Sequence, residues 1–438
     1  MKPSLVQIFR SGGLKAVTLA LISDMSADAR TFNAAADTAA MREVLGAADT
    51  FTIMAFSSGS YGLCGPLITF SSGTPEATLT FPNLESMTDP VVLIGGSGLT
   101  SLGFSNGGYN GAFSLASTAS LGNVRHLSFS QCTYHGEFKF INTSGLTKLE
   151  TLSIGNSSGS SFSVFHSTGL TSLREITFYY VANGGNFTFA PTAALPALED
   201  LSFTKCGTYG DFSIPSFANL TSVKRLTFDE CCAQSGVFTF GSFSALTSIE
   251  ELTFRNSVAL TVAAMTISGM PALKKLNILN EALSHADVTI AALPSLETLA
   301  IGSQTCGGAS LKVNLTGMAA LESINIEYDR GYPLIFSGDG ATEVLESIYL
   351  YSTNGLTVSD SRMFSNVTSL SLSTSGVVNI VDTVNVLAED KAFMLLTELD
   401  GNEAFYDSAI TLKVSGTSTL TAVKASLEAK GLPVTLTT

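Results

Sequence analysis

Apolar and polar positions in the middle of the chain recur with a period near 25 residues. Segments opening at Leu121, Leu146, Leu170, Leu195, Leu220 and Leu246 align, and their openings are separated by 25, 24, 25, 25 and 26 residues. The series continues at Met270, Leu293 and Met318, with weaker copies at Leu99 before it and around Leu345 and Val367 after it. With the opening residue as position zero, apolar side chains fall at +3, +6 and +8, as in Leu146, Leu149, Leu152 and Ile154. Alternation of period two over +6 to +8 predicts a short strand in every copy. A second alternating pair follows each time: Phe138 and Phe140, Phe187 and Phe189, Phe212 and Ile214, Phe238 and Phe240. A glycine precedes several of these pairs (Gly136, Gly185, Gly210, Gly236). Each copy is therefore expected to supply two short parallel strands. About eleven such copies stack as a solenoid, in which a coil buries its apolar face only against its neighbours.

The spacing Leu-x-x-Leu-x-Leu, with Cys132, Cys206 and Cys231 at +11, resembles the core signature of the leucine-rich repeat over roughly residues 75–385. The +11 column also holds Val181, Ser257, Gln304 and Asp329, where that family favours Asn or Cys. The second strand departs from the family too, many members of which place a helix there. The resemblance implies that the +11 cysteines are buried, reduced and hydrogen-bonded to loop backbone. Cys231 and Cys232 are adjacent and should point apart.

Polar columns separate the apolar ones. Position +7 reads Ser128, Ser153, Thr177, Ser202, Thr227, Thr253 and Asn277, a hydroxyl-rich outward face that suits a pleated sheet. Tyr179, Tyr349 and Tyr351 interrupt this face and are its candidate receptor-contact residues. Tyr109, Tyr134 and Tyr209 precede turn glycines and are expected to pack in the turns. Charge collects at +4 and +5: Arg125-His126, Glu150-Thr151, Arg174-Glu175, Glu199-Asp200, Lys224-Arg225, Glu250-Glu251 and Lys274-Lys275. Opposite signs should meet from coil to coil, so that a stack slipped by one coil would bring like charges together. Glu199-Asp200 and Glu250-Glu251 are then rungs of a ladder and not acid–base pairs.

The two ends differ from the repeat. Residues 23–48 are Ala-rich, with a helix predicted over 37–44, capped by Asp37 and stopped at Gly46. The string Ala39-Ala-Met-Arg42-Glu-Val-Leu45-Gly46 resembles a segment of bacteriophage tail-fibre proteins near their virion-proximal end. That resemblance implies virion attachment or trimerisation through Arg42, Leu45 and Gly46. At the other end, residues 418–438 read as a Thr-capped helix, stopped by Gly431 and followed by a terminal strand. The last fifty residues are expected to break the period and cap the stack, as repeat arrays require. The domain division is 1–50 for attachment and oligomerisation, 51–385 for the solenoid and 386–438 for the cap.

Composition narrows the function. Among 438 residues, 36 Asp and Glu face 22 Lys and Arg, for a net charge of -14, which argues against nucleic acid or anionic membrane as partner. No apolar run reaches the roughly 18–20 residues of a membrane span, and the stretch 16–22 is too short to expect a cleaved signal segment. The six cysteines include no Cys-x-x-Cys, and the four histidines show no metal spacing. A literal Gly155-Asn-Ser157-Ser-Gly159 is expected in a repeat turn, outside the strand–turn–helix setting of a nucleophile elbow. No cofactor is implied. With the tail-fibre resemblance, the expected function is a non-enzymatic, extracellular virion appendage, a trimer that joins other virion proteins by its N-terminal region and holds a bacterial surface glycan or protein. The alternatives are a bacterial leucine-rich-repeat adhesin and a phage polysaccharide depolymerase. The latter needs two carboxylates roughly 5–10 Å apart in a cleft.

Overall fold

A computed structural model describes the strands Ser4–Gln7, Phe51–Ser57, Leu67–Phe70, Glu76–Thr80 and Val92–Ile94, and residues 98–105, 108–109, 118–119, 121–130, 133–134, 138–157, 161–182, 184–231, 236–256, 264–279, 287–303, 310–328, 333–338, 344–402 and 408–438. The chain is a mainly-β parallel solenoid of about 11 coils with ~24 residues per turn, as the repeat predicts. It divides into two compact units, residues 1–222 and 223–438.

In the first unit the +6 to +8 strands run through His126–Ser130, Thr151–Ser157, Glu175–Val181 and Asp200–Thr204. They pair in parallel and in register, so Leu127, Leu152, Ile176 and Leu201 form one inward column and Phe129, Ile154, Phe178 and Phe203 another. All eight are buried. The opening Leu-x-x-Leu is a hydrogen-bonded turn that points both leucines inward: Val124 N donates to Leu121 O (3.0 Å), Leu149 N to Leu146 O (3.1 Å) and Leu198 N to Leu195 O (3.2 Å). Second strands at Phe138–Phe140, Phe162–Phe165, Phe187–Thr188 and Phe212–Ile214 form a separate parallel sheet. Their rings close the core against the first sheet. Phe178 meets Phe187 edge-on at 5.2 Å and lies parallel to Phe203 at 5.3 Å. Gly210 is required where coils touch, because a Cβ there would sit 2.3 Å from the carbonyl oxygen of Gly185 one coil away. Before these coils, Phe51–Ser57 pairs antiparallel with both Ser4–Gln7 and Leu67–Phe70, whereas Glu76–Thr80 already pairs in parallel with Ser101–Ser105.

The second unit opens with Phe228, Phe238 and Phe254 still in its core, and from residue 264 it keeps the spacing with a mainly aliphatic filling. First strands include Lys275–Leu279, Thr298–Ser303 and Ser323–Tyr328; second strands include Ala264–Ser268, Asp287–Ala291, Leu311–Asn314 and Leu334–Ser337. In the next two coils the first and second strands merge into single long strands, Ser347–Val358 and Ser369–Leu387.

The C-terminal helix followed by a strand is there as expected, but it is not alone: in each of the last two coils a helix replaces the first strand, and the period breaks where Ile380 takes Ile410 as its partner. Helix α1 (Glu389–Asp400) precedes strand Ala409–Val414, and helix α2 (Thr421–Ala429) precedes Val434–Thr437. The two strands continue the parallel second-strand ladder, with Ile380 beside Ile410 and Ile410 beside Val434. α1 sits over the end of the first-strand sheet, where Glu398 accepts from Leu372 N (3.4 Å) and Asn402 Oδ1 from Thr374 N (2.9 Å). Nor is α2 capped by its own threonine. The Glu389 carboxylate, from the first turn of α1, accepts from Thr419 N (2.6 Å), Thr419 Oγ1 and Ser418 Oγ. Those bonds, the Thr419 N–H foremost, hold its pKa below the ordinary value. Gly431, at φ +86°, ends the helix as expected.

Candidate functional site

The outward face of the first-strand sheet in the second unit is a grid fixed by strand register. Its successive rows are Thr298, Ala300 and Gly302; Ser323, Asn325 and Glu327; Ser347, Tyr349 and Tyr351; then Ser369 and Ser371. Alternation along each strand turns these side chains to solvent and the isoleucines and leucines between them to the core. Tyr349 and Tyr351 are 38% and 46% exposed, and their rings lie parallel, 9° apart in plane and 6.2 Å between centroids. The register partners of Tyr349 are Asn325 and Ser371, and Glu327 is a partner of Tyr351. The third predicted contact, Tyr179, is 43% exposed and belongs to the first unit. Its register partners are Gly155 and Thr204, and the Tyr180 ring lies 6.1 Å away.

Tyr209, expected to pack in its turn, is 59% exposed. Tyr109 and Tyr134 lie in two-residue parallel strands and pair with each other in register. Arg42, Leu45 and Gly46, expected to serve attachment, and the helix predicted over 37–44 lie outside the described residues.

The charge ladder forms as predicted and is tied by the backbone. Glu150 N donates to Arg125 O (2.7 Å), Arg174 N to Glu150 O (2.8 Å) and Lys274 N to Glu250 O (2.9 Å). The side chains of Arg125 and Glu150 form an ion pair, and Lys274 lies 4.0 Å from Glu250. The same backbone bond continues through Glu297, Glu322 and Glu346 on successive coils, where the signs stop alternating. Among the described residues no Lys, Arg or His forms an ion pair with Glu322, Glu327 or Glu346.

Cys206 and Cys231 are buried thiols, as expected at +11, each directed at the carbonyl oxygen two residues back, Thr204 O at 3.5 Å and Asp229 O at 3.7 Å. Cys132 and Cys232 lie outside the described residues. The Gly-x-Ser-x-Gly string was expected in a turn, yet Gly155 and Ser157 are strand residues, paired with Tyr179 and Val181. Among the described residues no group of three His, Cys, Asp or Glu side chains could hold a metal, and no helix is long and apolar enough to cross a membrane.

Two features escaped the sequence reading. The first is a column of left-handed residues at +10 that ends the first strand: Tyr180 (φ 58°) and Lys205 (φ 54°) in the first unit, Glu230 (φ 51°) and Asn256 (φ 51°) in the second. Of these only Asn256 belongs to a type that adopts this region readily. The second is a buried polar cluster beside the first helical coil. Asp382, only 4% exposed, accepts from Ser361 N and Oγ (both 2.8 Å), Val384 N (3.0 Å), Asn385 N (2.9 Å) and Asn385 Nδ2 (3.1 Å). Burial alone would raise its pKa; these hydrogen bonds outweigh it and lower the pKa to about 2. Asp360 beside it takes a two-pronged bond from Arg362.

No protein-family model matches the chain, and no curated protein matches it at a significant level.

Proposed function

We propose that the chain is a non-enzymatic adhesin, the receptor-binding part of a bacteriophage tail fibre. In this reading it assembles as a homotrimer, joins the virion through its N-terminal region and meets the bacterial surface with its solenoid. The observation that carries the adhesive part is the placement of Tyr179, Tyr349 and Tyr351. Each stands on a rigid, hydrogen-bonded sheet face and leaves a large aromatic area open to solvent. Tyrosine on a stiff backbone gives wide contact at small entropic cost, and copies on one particle multiply weak contacts into firm attachment. The virion assignment is supported by the resemblance around Arg42, Leu45 and Gly46.

The test is adsorption of the full chain to bacterial cells. Changing Tyr179, Tyr349 and Tyr351 together to Ser should lower adsorption at least about tenfold, as loss of anchoring aromatics does, and leave thermal stability nearly unchanged. Normal adsorption by that variant would move the contact to the segments around Tyr109, Tyr134 and Tyr209.

A further inference from the structure

We infer that the platform formed by Tyr349 and Tyr351 takes a linear glycan bearing free amino groups, a de-N-acetylated hexosamine polymer being the simplest example. This deepens the adhesive reading above and rests on it. Three observations select the ligand. First, two parallel exposed rings 6.2 Å apart stand on an open sheet face beside Ser371, which suits the flat apolar face of a pyranose ring. Second, the polar groups beside the rings are acceptors of the right kind. Glu327 is the register partner of Tyr351 and Asn325 that of Tyr349, so sugar hydroxyls and ammonium groups meet a carboxylate and an amide next to the aromatic faces. Third, the charge is one-sided among the described residues. Glu322 and Glu346 continue the +4 column on the same two strands' coils, and no described cation pairs with either. An anionic glycan would be repelled here, and a neutral one would leave these carboxylates unused. A ligand ammonium gains from both the carboxylates and the tyrosine faces. The coil rise of about 4.8 Å is close to the length of one pyranose in an extended β-1,4 chain, so successive amino groups can meet successive coils.

The experiment titrates the full chain calorimetrically, in mildly acidic buffer, with three probes: a β-1,4 glucosamine oligomer, its fully N-acetylated counterpart, and an oligolysine of similar charge. The glucosamine oligomer should bind, and the N-acetylated oligomer at least about tenfold more weakly, since it lacks the charge. The double change Tyr349→Ser and Tyr351→Ser should weaken glucosamine binding by about tenfold, Glu327→Gln should weaken it less, and Tyr179→Ser should leave it unchanged. Equal binding of the acetylated oligomer, an undiminished affinity in the double tyrosine variant, or oligolysine binding as tightly as the glycan would each overturn the inference. Cell adsorption separates the two readings. A chain that adheres to bacteria but ignores the glucosamine oligomer sinks this inference and leaves the adhesive one standing. A chain that binds the oligomer through its tyrosines but adheres to no bacterium tested supports this inference and sinks the adhesive reading.

Discussion

The coils between residues 121 and 214 and those between 264 and 337 obey one spacing rule and fill it with different matter. In the first set the +8 and second-strand columns carry Phe129, Phe140, Phe162, Phe165, Phe178, Phe187, Phe189, Phe203 and Phe212; in the second they carry Ile267, Ile278, Ile290, Ile301, Val313 and Ile326, with Phe336 alone aromatic. Second strands follow the filling. Phe138–Phe140, Phe162–Phe165, Phe187–Thr188 and Phe212–Ile214 run over two to four residues, Ala264–Ser268, Asp287–Ala291, Leu311–Asn314 and Leu334–Ser337 over four or five. Rings that meet edge to face at 5.2–5.6 Å, as Phe178 and Phe203 do with Phe187, fix the local orientation of the chain that carries them. Branched aliphatic side chains make no such demand and favour a longer regular strand. The repeat thus specifies where the coil turns, and the core side chains specify how much of it becomes sheet.

The largest effect should come from cutting into the aromatic filling. Phe178→Ala removes a ring that contacts Phe162, Phe187, Phe189 and Phe203, and should cost about 3–5 kcal/mol. Ile278→Val, a deletion of one methyl in the aliphatic filling, should cost about 0.5–1.5 kcal/mol. Hydrogen exchange of the Phe178 variant should show protection lost mainly in coils 146–214, because coils contact only their neighbours. Equal loss across the coils of 264–337 would show that the two fillings unfold as one and would remove the basis of the comparison.

The same contrast explains how much could be read from the chain. The inward columns were legible because a solenoid repeats one burial pattern many times, so a single copy such as 146–154 is checked by all the others. The aromatic second strand was legible for the same reason. Helix α1 was written just as plainly in the buried set Ala392, Leu395, Leu396 and Leu399, at helical spacing before Gly401. It was missed because a strand-sized period draws attention from a 3.6-residue one. The left-handed column at +10 was not legible, since Tyr180, Lys205 and Glu230 carry no local preference for that backbone and the stack imposes it. Of the candidate site, the three tyrosines were visible as aromatic interruptions of the polar outward face. That Tyr349 and Tyr351 stand parallel beside Glu327 depends on register and could only be seen in three dimensions.

A second, intermediate effect lies where strand coils give way to helical ones. Asp382 is held ionised by five hydrogen bonds, and its folded pKa of about 2 lies below the roughly 4 of an unfolded aspartate. A carboxylate with a depressed pKa stabilises the fold above the unfolded value, and that contribution is lost as the pH falls from about 4 to about 2. Asp382→Asn should therefore cost about 2 kcal/mol at neutral pH and flatten the acid limb of stability. Urea melts between pH values of roughly 2 and 7 measure both. The Phe-filled coils contain no equivalent among the described residues, so exchange protection at Phe178 should respond less over that range. An unchanged acid limb in the variant would take Asp382 out of this role.

The smallest effect is the most discriminating, because its sign should differ between the two regions. In the first, the +4 column alternates Arg125, Glu150 and Arg174; in the second it runs Glu297, Glu322 and Glu346. Glu150→Lys would place three cations on consecutive coils and remove the ion pair to Arg125, both partners of which are partly solvated. The cost should be at most about 1 kcal/mol, the ordinary scale of exposed pairs. Glu322→Lys would instead restore alternation between Glu297 and Glu346, and should stabilise by a similar or smaller amount. Added salt should shrink both changes toward zero, since screening at 0.1 M acts over about 10 Å. If Glu322→Lys destabilises at low salt, the like-charged run is not an electrostatic cost and needs another structural cause. If it stabilises while weakening the glucosamine oligomer, the run of glutamates is kept at the expense of stability, as surfaces committed to a ligand often are. Calorimetric melting of Glu150→Lys and Glu322→Lys at low and high salt, with the oligomer titration repeated on the second, decides between those outcomes.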